Sequence, residues 1–173
     1  YDAIMPNDKF PDMKKMCDTI HSYGLKCGIY STPMLTAWGS PKEYEYVPGC
    51  TQGEPEEIFS LTNTGIGKIR KEKNNVMQWT DWGFDYLKYD YCFKPRYMSG
   101  ELLYKRMSLA LKNCGRDILF SACNWGEDNV HDWIRESGCH SYRSTGDIQD
   151  NWDSIRHIAL SQIDKKAFTG NYC

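Results

Sequence analysis

Tyr86-Leu87-Lys88-Tyr89-Asp90-Tyr91-Cys92 is the stretch on which the reading of this chain turns. Successive side chains of a strand point to opposite faces, so Tyr86, Lys88 and Asp90 share one face while Leu87, Tyr89 and Tyr91 share the other. The second set suits a face covered by helices. The first set turns a lysine and an aspartate the opposite way, where burying opposite charges is costly unless they are paired or perform chemistry. Two readings stay open at this point, a structural ion pair and an active-site pair.

Working outward from that strand, helical and strand signals alternate. Pro11 suits a first helical turn, and Met13, Met16, Cys17, Ile20 and Tyr23 recur at helical spacing until Gly24 stops them. Residues 25–30 form a short buried strand candidate. Residues 31–67 hold Pro33, Pro41, Pro48 and Pro55 with Gly39, Gly49, Gly53, Gly65 and Gly67, and read as a long loop on that strand's carboxyl end. Loops longer than about 15 residues are usually functional or disordered. A helix over residues 68–82 leads into the strand at 84–90, and a helix over 100–113 carries Leu103, Met107, Ala110, Leu111 and Cys114 on its apolar stripe. A strand at 118–123, a short helix around Val130, Trp133 and Ile134, and a strand at 139–144 follow. The closing helix holds Trp152, Ile155 and Ala159, and Asp150 is placed to cap it.

Strands alternating with helices predict an α/β fold of parallel βαβ units. No strand is followed by a glycine-rich phosphate turn, which argues against a dinucleotide-binding or P-loop fold. The expectation is a (β/α)8 TIM barrel, of which residues 1–173 supply about four βα units as one partial catalytic domain with no second domain. Chemistry in such barrels sits at the carboxyl ends of the strands. A closed barrel takes about 250 residues, so the remainder of the barrel, or a second copy meeting this one edge to edge, is expected as a partner. The chain by itself is expected to be inactive.

Composition excludes several classes. A formal charge of −2 without runs of like charge leaves no footprint for nucleic acid. The longest apolar stretches are a few residues, so no membrane span is expected. The chain opens without the pattern of a signal peptide, which is absent or already removed, and starting at Tyr1 suggests processing, trimming or excision from something longer. The eight cysteines form neither a CxxC pair nor a zinc-spaced Cys/His cluster, so no metal site is expected. Cys17, Cys27, Cys114 and Cys123 fall in helical or strand-like patterns, where a buried thiol packs as a small hydrophobe. The cysteine count does not fix the compartment; a secreted or periplasmic location is favoured. Aromatic residues make up 14% of the chain. They serve core packing and equally the flat apolar faces of sugar rings.

Two further patches carry chemistry. In the segment from Tyr142 to Trp152, Arg143 lies at a strand end and Asp147 in the loop, where it could either cap the next helix or act chemically. Ser121-Ala122-Cys123-Asn124-Trp125-Gly126 delivers an amide and an indole to the same rim, with Trp125 either structural or a ligand platform. Two carboxylates on one rim, with aromatics, a lysine and an arginine, suit glycosidic bond cleavage. One attacks the anomeric carbon, and the other protonates the leaving oxygen and later activates water. Lys88 would help keep an Asp90 nucleophile ionised.

These segments resemble glycoside hydrolase family 27, the family of α-galactosidases and α-N-acetylgalactosaminidases. Lys9-Phe10-Pro11-Asp12-Met13-Lys14 and residues 21–31 resemble its third βα unit, residues 82–92 its nucleophile strand, and residues 143–152 its acid/base segment. The resemblance implies Asp90 as nucleophile, Asp147 as general acid/base, and Tyr30 and Lys88 as sugar-hydroxyl and pocket residues. It implies Arg143 near the 2-substituent, Cys123 and Trp125 at the pocket edge, and a disulfide from Cys92 to the long loop, for which Cys50 is the candidate. The implied activity is retaining hydrolysis of terminal α-D-galactosides, with a carbohydrate as the partner and no cofactor. Two departures stand out: Asn124 replaces a glutamate common in the family, and the loop after Tyr30 resembles that of certain bacterial members. α-N-Acetylgalactosaminidase or β-L-arabinopyranosidase activity on the same scaffold stays open. So do a barrel aldolase using Lys88 and a sugar-binding protein without turnover.

Overall fold

In a computed structural model of the protein, the described residues are 6–33, 70–92 and 98–168. They form four βα units in chain order: α1 (Met13–Ser22), β1 (Gly28–Ser31), α2 (Arg70–Trp82), β2 (Tyr86–Asp90), α3 (Gly100–Lys112), β3 (Leu119–Cys123), α4 (Val130–Trp133), β4 (Ser141–Tyr142) and α5 (Trp152–Leu160). A 3-10 turn extends α4 over Ile134–Ser137, and another follows α5 over Ile163–Phe168.

The strands make one parallel sheet in the order β1-β2-β3-β4. Ile29 pairs with Leu87, Lys88 with Ser121, and Ala122 with Tyr142. Spatial order that follows chain order, without a reversal, is how a barrel winds; a doubly wound sheet reverses direction at a switch point. The predicted alternation and parallel pairing are therefore found.

The helix-facing side of the sheet holds the core. Leu87, Tyr89, Phe120 and Ala122 are at most 2% exposed, and they pack against helix residues including Val76, Trp79, Leu103, Tyr104 and Met107. Each large side chain so buried contributes about 1.5–3 kcal/mol of transfer free energy. Tyr89 meets Tyr104 edge to face at 5.7 Å between ring centroids. Beneath this layer, Arg106 of α3 reaches Glu72 of α2 with two hydrogen bonds, Nε to Oε1 at 2.7 Å and Nη2 to Oε2 at 3.1 Å. Both side chains are almost wholly buried.

Local signals account for most helix ends. Asp12 caps α1 by accepting from the Lys15 N–H at 2.9 Å, and Ser99 caps α3 by accepting from the Leu102 N–H at 3.3 Å. Several expectations shift, β2 beginning at Tyr86 and β3 at Leu119 where strands from 84 and 118 were expected. β1 starts at Gly28, because Leu25 and Lys26 stay outside, Leu25 with 62% exposure. β4 is two residues long, although backbone bonds from His140 N to Phe120 O and from Arg143 N to Ala122 O flank it. Asn151, not Asp150, caps α5, accepting from the Ser154 N–H at 2.8 Å. Trp152 is the first helical residue, so the capping position falls on the residue just before it.

Candidate active site

The carboxyl ends of β1 to β4 bring most of the predicted site residues to one rim. Asp90 ends β2 and is 7% exposed. The Tyr30 hydroxyl at the end of β1 donates to Asp90 Oδ2 at 2.7 Å, and the Tyr91 N–H donates to Asp90 Oδ1 at 2.7 Å. Each carboxylate oxygen thus has its own donor, which fixes the rotation of the group. Burial, followed by the hydrogen bond to Asp90, pushes the Tyr30 hydroxyl far above its ordinary range, so it remains a donor. Lys88 Nζ lies 5.4 Å from the centre of the Tyr30 ring, a cation–π placement. No ion pair joins Lys88 to Asp90 among the described residues, so the simple structural pair is not what the fold builds.

From Asp90 the contacts continue across the rim. Asp90 stands opposite Cys123 in the β2–β3 register. Burial and then the Asp90 charge push the Cys123 thiol up, against the opposing charges of Lys88 and Arg143. Arg143, just past β4, pairs with Asp147 at 2.5 Å between Nη2 and Oδ1. Burial alone would lower the Arg143 guanidinium, but the hydrogen bond and charge of Asp147 raise it above its usual value. Asp147 is 85% exposed and caps no helix.

Trp125 lies on the loop after β3, in a left-handed backbone conformation with φ of 60°, and its ring meets Tyr91 edge to face at 6.2 Å. The next residue must be glycine. Gly126 has φ of 87°, and a Cβ there would stand 2.3 Å from Ser144 O, so the β3 and β4 rims touch only because that atom is missing. Asn124 is fully buried, with its Nδ2 donating to Glu127 O at 2.7 Å, so its amide turns into its own loop. Cys50 lies outside the described residues, and with it the expected Cys50–Cys92 bridge; Cys92 Sγ is 4.0 Å from the Tyr30 hydroxyl.

The sequence reading passed over Tyr104 and Asp128. Tyr104 on α3 is fully buried, and its hydroxyl donates to Tyr89 O at 3.0 Å and accepts from the Cys123 N–H at 3.3 Å, tying the ends of β2 and β3 together. A tyrosine on an apolar helix stripe is a usable signal, because its buried hydroxyl needs a partner. Asp128 gave no such signal; the loop's left-handed turns at Asp128 and Asn129 put it beside β2.

Parallel strands in chain order, with two carboxylates, a lysine and an arginine on their carboxyl rim, have the layout of a (β/α)-barrel mouth. Comparison with known proteins agrees. Residues 57–169 match the family described as alpha galactosidase A. Alpha-galactosidase 2 of Arabidopsis thaliana is 38% identical over 151 residues, which are 87% of this chain and 32% of that one. Alpha-galactosidase I of Mortierella vinacea superposes with a TM-score of 0.57 at 34% identity, over 81% of this chain and 30% of that one. A putative alpha-galactosidase of Bacteroides fragilis gives a TM-score of 0.70 at 26% identity, over 92% and 31%. The chain belongs to the alpha galactosidase A family, that is, glycoside hydrolase family 27. Its sheet is a four-stranded portion of the TIM barrel. The chain spans about a third of the length of the curated relatives it matches.

Proposed function

We propose that the polypeptide carrying this chain is a retaining glycoside hydrolase that removes terminal α-D-galactosyl residues from a carbohydrate by double displacement, and that residues 1–173 are part of its single catalytic barrel. The observation that carries this reading is the placement of the Tyr30–Asp90 and Arg143–Asp147 pairs on one rim, with Cys123 opposite Asp90, in a chain 38% identical to a plant α-galactosidase. Asp90, doubly hydrogen-bonded and fixed, attacks the anomeric carbon. Asp147, exposed on a loop, donates its proton to the departing oxygen and then takes one from water in the second displacement. Arg143 holds Asp147 and faces the 2-substituent, Lys88 and Tyr30 bind sugar hydroxyls, and Cys123 and Trp125 form the pocket edge.

The roles separate kinetically in the full-length polypeptide. Asp90→Ala is expected to abolish turnover of every substrate. Asp147→Ala should slow unactivated galactosides far more than nitrophenyl α-galactoside, because an activated leaving group needs little protonation, and azide should restore part of its turnover. Equal losses on both substrates without azide rescue would remove Asp147 from the role. A panel of nitrophenyl glycosides reports the sugar, with preference for α-N-acetylgalactosaminide or β-L-arabinopyranoside pointing to the sister activities.

A further inference from the structure

Tyr91 follows Asp90 directly, and its backbone N–H donates to Asp90 Oδ1 at 2.7 Å. Whatever fixes that peptide therefore fixes the rotation of the carboxylate. The side chain of Tyr91 is 2% exposed, and its hydroxyl hydrogen-bonds Asp128 Oδ2. The same carboxylate oxygen accepts from the Gly100 N–H, at the start of α3, at 2.8 Å. Asp128 is itself held from behind, because the Trp133 indole N–H donates to its carbonyl at 2.7 Å. The space is closed on the third side: a Cβ on Gly100 would lie 2.8 Å from the Tyr91 hydroxyl, 3.1 Å from Asp128 Oδ2 and 3.2 Å from the Trp133 ring. Three elements thus converge on one tyrosine hydroxyl. Burial, then the bond to Asp128, pushes that hydroxyl far above its ordinary value, so it stays a donor.

We infer that Tyr91 is a positioning residue for the Asp90 nucleophile, clamped by Asp128 so that its N–H holds the carboxylate in the attacking rotation. The inference rests on the galactoside-hydrolase reading above, since it needs Asp90 to attack. Neither Tyr91 nor Asp128 touches the reacting atoms through its side chain. Removing the clamp should therefore lower the rate of attack and leave sugar binding as it was, and misplacement by about 1 Å can cost about a hundredfold in rate.

The test is steady-state kinetics of the full-length polypeptide on nitrophenyl α-galactoside. Tyr91→Phe keeps the ring against Trp125 and removes only the hydroxyl. It is expected to lower kcat by about tenfold to a hundredfold with KM changed less than about twofold. Asp128→Ala should do the same, and the double variant should be no worse than the worse single one, because both break one contact. Asp128→Asn, which keeps an acceptor oxygen, should recover most of the loss. Gly100→Ala removes no hydrogen-bonding group and should give the same lesion by intruding on the clamp. It decides the matter by the same criteria if Tyr91→Phe fails to fold. Unchanged kcat in Tyr91→Phe, a loss confined to KM, or losses that multiply in the double variant would overturn the clamp while leaving the hydrolase reading standing. An unsubstituted polypeptide that cleaves no glycoside overturns both, and Asp90→Ala as a dead control tells the two failures apart.

Discussion

Asp85 shows how one side chain holds the foot of this sheet. Burial alone would raise its carboxyl. The Cys27 N–H, His21 and Arg116, which approach it at 2.9, 2.6 and 2.7 Å, instead hold it down to about 2 from an ordinary 3.8. A depressed carboxyl contributes stability that is fully present above its unfolded value and is lost as pH falls toward its folded one. The urea midpoint should thus fall as pH drops from about 4 to about 2, and Asp85→Asn, already neutral, should lose most of that fall. Tyr104 is the second case at this scale. Tyr104→Phe would leave the buried Cys123 N–H and Tyr89 carbonyl without their hydroxyl partner, and a cost of about 1–3 kcal/mol in denaturant unfolding is expected. A smaller change would mean that water reaches those groups.

Between elements, the buried Glu72–Arg106 pair joins α2 to α3. Truncating either partner takes a hydrogen-bonded counter-charge away from a buried charge, so Glu72→Ala or Arg106→Ala should destabilise by about 3–5 kcal/mol. Replacing both together, as Glu72→Leu with Arg106→Met, should cost far less, because the desolvation of two charges goes with their attraction. Denaturant unfolding of the three variants checks this; a double variant as poor as the singles would show that the pair is worth more than the apolar contacts that replace it. The nucleotide-fold alternative is also settled between elements, by strands that neighbour one another in chain order.

For the molecule as a whole, the ends of the sheet matter most. Around the last unit Ile148, Trp152, Ile155, Leu160 and Ile163 are exposed, Trp152 at 72%, and around the first unit Tyr23 and Leu25 are exposed at 75% and 62%. Apolar surface of this kind, beside strand edges, invites association. Purified alone, residues 1–173 should self-associate in sedimentation experiments and leave α-galactosides intact. A monodisperse monomer that hydrolyses them would show that four βα units hold a competent site.

The alternation of periods in the sequence was enough to determine strand–helix units, parallel pairing and the outward apolar set of Leu87, Tyr89 and Tyr91, because a strand's two faces are read directly from every second residue. Asp90 was legible too, as a charge on a face where charge is costly. What only the tertiary structure decided is who touches it. Lys88, two residues away and expected to pair with it, turns to the Tyr30 ring, while Asp90's partners come from 60 residues upstream and from the backbone of its neighbour. The Tyr91–Asp128–Gly100 clamp joins residues 37 and 28 positions apart, and no local period links them. Such contacts are set by how crossovers pack on the sheet and by left-handed turns in the loop after β3, not by any preference carried in the residues themselves.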